Sequence, residues 1–109
     1  MIMAWLVLVV SGILEAGWAI ALKMSNGFSR LVPTVVFGVL AALSFAGLAW
    51  AMKQLPVGTA YAVWVGIGAS LTAIIGMVWL NDGASVGKIL SLVLIVAGVI
   101  GLNLAGGAH

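Results

Sequence analysis

At 109 residues, 65% hydrophobic and 6% charged, with a net charge of +2, the chain lies far outside the composition of soluble domains. Its four scattered basic residues are too sparse for a nucleic-acid patch. The absence of cysteine excludes disulfide, thiol and Cys–zinc chemistry.

The charges divide the sequence into apolar blocks at Met1–Leu22, Leu31–Met52, Gln54–Asn81 and Ile89–Ala108. A bilayer core of about 30 Å needs about 20 helical residues, so four transmembrane helices are expected. Nothing alternates as a membrane β-strand does. The expected fold is therefore an all-α membrane protein, a single membrane domain over residues 1–109, with helices near 3–22, 33–52, 58–80 and 86–104.

The first block reads as a retained span, since its apolar core is longer than that of a signal peptide. Glu15 is its only charge. A carboxylate at mid-span costs about 2.5–3.5 kcal/mol on insertion scales, and residues kept at that cost usually bind a proton, an ion or a cationic substrate. The plainer alternative is a protonated carboxyl joining helices by a hydrogen bond. Ser11, Gly12, Trp18 and Ala19 share the face of Glu15 at helical spacing; the small residues leave room for a ligand or a neighbouring helix. Two such carboxyls brought together by a dimer would titrate as a coupled pair.

Lys23 to Arg30 form a polar turn. Pro33 suits the first turn of the second helix. That helix carries Ser44 at mid-span, able to bond its own backbone or Glu15. Lys53 to Thr59 form the second turn. On the third helix Tyr61, Trp64 and Gly68 fall on one face, and aromatic rings beside an acid suit a cation. The interfacial aromatic belt is the competing explanation; it fits Trp5, Trp50 and Trp79 near span ends better than Trp18 or Trp64. Gly66 and Gly68 read equally as a hinge or as sites of close packing. Asn81-Asp82-Gly83-Ala84-Ser85 is the third turn. The fourth helix has no mid-span ionisable group, and its small residues, notably Gly98, Gly101 and Ala105, mark it as the dimer contact. His109 ends a Gly-rich tail.

Four spans put both termini on one side. Lys23, Arg30 and Lys88 lie on the other, against Lys53 and the N-terminal amine. This bias is slight enough to permit insertion both ways up; one weakly favoured orientation fits the counts equally. Glu15 sits 8 residues before Lys23 and Trp64 sits 8 residues after Pro56. Each is ~12 Å deep, but from opposite sides. An antiparallel dimer would bring the partner's Trp64 level with Glu15.

The segments Gly12-Ile13-Leu14-Glu15, Trp18-Ala19-Ile20-Ala21-Leu22-Lys23, Ser25-Asn26-Gly27-Phe28 and Leu55-Pro56-Val57-Gly58-Thr59-Ala60-Tyr61-Ala62-Val63-Trp64 resemble the small multidrug resistance family, over essentially the whole chain. Trp18, one turn after the glutamate, and Ser44 in the second helix resemble its guanidinium exporter subtype. The resemblance implies an antiparallel homodimer in the bacterial inner membrane that exchanges protons for guanidinium-type cations, without cofactor or metal. Glu15 of both copies would bind either cation, with Ser44, Trp18, Tyr61, Trp64 and Gly12 lining the site. The third turn departs from the family pattern: Asp82 is followed by Gly83 where relatives usually have proline. Two other readings stay open: a broad quaternary-ammonium exporter, and a proton-carrying subunit of a multisubunit machine.

Overall fold

A computed structural model describes residues 2–80 and 83–105. Asn81 and Asp82 of the third turn, and the tail ending in His109, lie outside the described residues. The described residues form four α-helices: α1 (Ile2–Met24), α2 (Leu31–Ala51), α3 (Val57–Trp79) and α4 (Val86–Leu104). Each is long and apolar enough to cross a membrane. Helix α2 begins at Leu31, two residues ahead of Pro33. The proline still lies in the first turn, where its missing N–H has no partner to lose.

The α1–α2 turn is tight. Asn26, Gly27 and Phe28 have φ of 50°, 71° and 67°, a left-handed run in which only glycine is free of side-chain crowding. Ser25 holds it. The buried hydroxyl donates to Leu22 O at 2.7 Å and accepts from the Phe28 N–H at 3.1 Å. The Phe28 ring rests against Phe37, centroids 5.7 Å apart, which offsets the unfavourable backbone of a bulky residue. At the start of α4 the Ser85 hydroxyl accepts from Lys88 N–H at 3.2 Å, an ordinary N-cap.

Helix α1 is the centre of the bundle, packed on both α2 and α3; α4 packs on α3. Glycines set the closest approaches. A Cβ at Gly12 would lie 2.9 Å from Ile67 Cβ, and one at Gly66 would lie 2.6 Å from Val99 Cγ2. Bare backbone there lets α3 reach α1 and α4 reach α3. Gly12 meets Ile67, and Glu15 meets Gly68, so α1 and α3 run parallel.

The apolar core consists of Ala4, Leu8, Leu48, Ala51, Leu55, Ala60, Val63 and Trp64. These residues come from the start of α1, the end of α2, the α2–α3 turn (Leu55) and the start of α3. One half of the bundle is thus sealed, and the half nearer the α1–α2 turn is where α1 and α3 leave space. Helix α4 carries no buried residue. Most of its apolar side chains, like those on the outer faces of the other helices, are exposed, while Leu92, Val99 and Leu102 are half-buried.

Candidate functional site

Glu15, Trp18 and Ala19 of α1 and Gly68, Ala69, Thr72 and Ala73 of α3 line a cavity of about 370 Å³. The carboxylate lies directly on Gly68: any Cβ there would overlap Glu15 Oε2 and Cδ, and would lie 2.7 Å from Cγ. Oε2 is buried and has no hydrogen-bond partner; the same is true of Trp18 Nε1. A buried polar atom without a partner costs about 1–3 kcal/mol, so a donor arriving at Oε2 is strongly favoured. Among the described residues no basic side chain lines the cavity. Larger cavities of about 620 and 470 Å³ lie along α3 and α4. Among the described residues neither is lined by an acid, and the larger is lined by Lys88.

Ser44 is fully buried. Its hydroxyl donates to Ser11 O of α1 at 2.7 Å and accepts from Trp64 Nε1 of α3 at 3.0 Å. It therefore bonds a neighbouring helix rather than its own, and joins three helices through one oxygen. The partners are Ser11 and Trp64, not Glu15. Trp64 lies four residues before Gly68, so it sits about 6 Å deeper than the carboxylate's level. Tyr61 is 54% exposed, and its ring lies 5.9 Å from that of Trp64 between centroids.

The expected site residues thus fall into two clusters. Glu15, Trp18 and Gly68 surround the cavity; Ser44, Trp64 and Tyr61 form a polar and aromatic group one turn deeper. Phe45 connects them, 6.1 Å from Trp18 and 5.3 Å from Trp64. Gly12 faces Ile67 and Trp64 O and acts by letting α3 close on α1. Helix α3 runs unbroken through Gly66 and Gly68, each pressed by a side chain of another helix. Gly98 and Gly101 have nothing within 4 Å of a Cβ position, and Ala105 is the exposed C-cap of α4.

Sequence reasoning missed Thr72 and did not anticipate that Gly68 is the floor under the carboxylate. Trp64, Gly68 and Thr72 form an i, i+4 series on one helix face, a signal that would have found Thr72. The contact of Gly68 with Glu15 depends on the register between α1 and α3, for which spacing along the chain carries no information.

The profile of the Small Multidrug Resistance protein family matches residues 3–95. A protein of Yersinia pseudotuberculosis named guanidinium exporter is 60% identical over 103 residues, 94% of this chain and 99% of the relative. Proteins of the same name from Escherichia coli K12 and Salmonella typhimurium are 54% and 52% identical, over 94% of this chain and 98% of each relative. With this coverage and a family match across nearly all of α1 and the whole of α2 and α3, the chain belongs to the small multidrug resistance family.

Proposed function

We propose that this multi-pass protein of the bacterial inner membrane exports guanidinium or small guanidinyl cations in exchange for protons, the two competing for Glu15. One observation carries the reading. A carboxylate oxygen is buried without a partner, in a cavity lined by no basic group. A proton or a cation entering the cavity satisfies it. Guanidinium is planar and presents forked N–H donors that fit a carboxylate, and the relatives named above carry guanidinium in their names.

The working unit is an antiparallel homodimer with one Glu15 from each copy. The open stripe of Gly98, Gly101 and Ala105 on α4 supports a contact there. Ser44 and Trp64 hold the helices around the site, Trp18 and Gly12 shape it, and Tyr61 lies at the edge of the aromatic group. Gly66 and Gly68 are where α3 would bend as the cavity changes the side to which it opens. A carboxylate pair neutralised by protons cannot also hold the cation, so the fluxes are coupled.

The test is reconstitution in liposomes with an imposed guanidinium gradient while internal pH is followed. Guanidinium entry should drive proton exit, and Glu15→Gln should abolish it. Absence of proton movement, or unchanged movement in Glu15→Gln, rejects the exchanger. Equal transport of a bulky quaternary ammonium would favour the broad exporter. Substrate-independent proton flux would favour the machine subunit.

A further inference from the structure

The geometry points to Thr72 as a further substrate-contacting residue, whose hydroxyl accepts an N–H from a guanidinium held at Glu15. This rests on the proposed function and names a specificity contact within it. Thr72 lines the same cavity as Glu15. Its Oγ1 donates to Gly68 O at 2.7 Å, and Gly68 is the residue on which the carboxylate lies. A hydroxyl has one proton and two lone pairs. Because the proton is committed to the helix backbone, the oxygen meets the cavity only as an acceptor.

Guanidinium has N–H groups on every edge and no acceptor. A carboxylate engages one edge, and the remaining donors then lie in a cavity otherwise lined by Trp18, Ala19, Gly68, Ala69 and Ala73. Leaving them unpaired would waste much of the binding energy. Thr72 Oγ1 lies over the Gly68 carbonyl, beside the residue on which the carboxylate rests. A small planar cation held at Glu15 therefore has this oxygen as a neighbouring acceptor in the same cavity. A cation without N–H groups gains nothing from this oxygen. Thr72 therefore favours guanidinium over alkylated ammonium by the hydrogen bond it accepts.

The experiment compares Thr72→Val, which keeps the shape and removes the hydroxyl, with Thr72→Ser, which keeps the hydroxyl and removes the methyl. Guanidinium-driven proton flux in liposomes gives KM and maximum rate; tryptophan fluorescence gives proton binding to the empty protein. Thr72→Val should raise the guanidinium KM roughly tenfold, the loss expected for a hydrogen bond to a charged group. Its maximum rate and substrate-free proton binding should stay near wild type, and Thr72→Ser should transport normally. A wild-type KM in Thr72→Val overturns the assignment, because the hydroxyl then only bonds its own helix. A defect in Thr72→Ser with normal Thr72→Val overturns it in favour of packing. An equal change in substrate-free proton binding overturns it in favour of a general distortion of the site. If the wild-type protein moves no protons with guanidinium, the proposed function itself has failed, a result separable from all of these.

Discussion

Replacing Gly68 by alanine places a methyl group where the Glu15 carboxylate now lies. Cγ, 2.7 Å from the new carbon, must retreat about 0.7 Å to reach ordinary contact at 3.4 Å. The terminal oxygen, nearer still, moves further. The end of a long side chain yields readily, and alanine gains up to about 1 kcal/mol of helix propensity over glycine, so Gly68→Ala should fold and insert normally. Transport should suffer, since misplacing a reacting group by about 1 Å costs on the order of 10²-fold. The assay is guanidinium-driven proton flux in liposomes, alongside thermal stability in detergent. Expected is a melting temperature at or above wild type with flux reduced about a hundredfold. Flux within twofold of wild type would refute the reasoning, because it would mean the carboxylate does its work away from Gly68.

Other outcomes follow from the same geometry. Ser44→Ala strands the buried Trp64 N–H and should lower stability by about 1–3 kcal/mol, read as a loss of thermal stability that Trp64→Phe in the same background partly restores. Gly66→Ala pushes against Val99 and should loosen α4, seen as faster proteolysis or faster labelling of cysteines introduced along that helix, whereas Gly38→Ala, at an open position, should leave it unchanged. On the proposed competition of protons and guanidinium for Glu15, the apparent guanidinium Kd should rise as pH falls through the carboxyl's titration; a pH-independent Kd between about pH 5 and 8 (roughly the stable working range) contradicts competition.

The four helices were legible because apolar length is a property of the chain alone. Their ends shifted by only a residue or two, as at Leu31, where a proline two positions inside the helix looked like its start. Glu15 stood out for the same reason: one charge in an apolar run needs no tertiary information. What could not be read was which side chain meets which backbone. The Ser44 hydroxyl reaches Ser11 O and Trp64 rather than Glu15, a choice fixed by how α2 rotates against α1. Gly68 and Gly66 look alike in sequence, yet one supports a carboxylate and the other a valine from α4.

Helix α4 shares little with the rest of its own chain, touching α3 chiefly where Val99 settles over Gly66. Its backbone bonds are satisfied internally, so it survives as a helix with or without that contact. Under a pulling force from the C-terminal end, or in a harsh detergent, it should peel away first and leave α1, α2 and α3 as a residual cooperative unit.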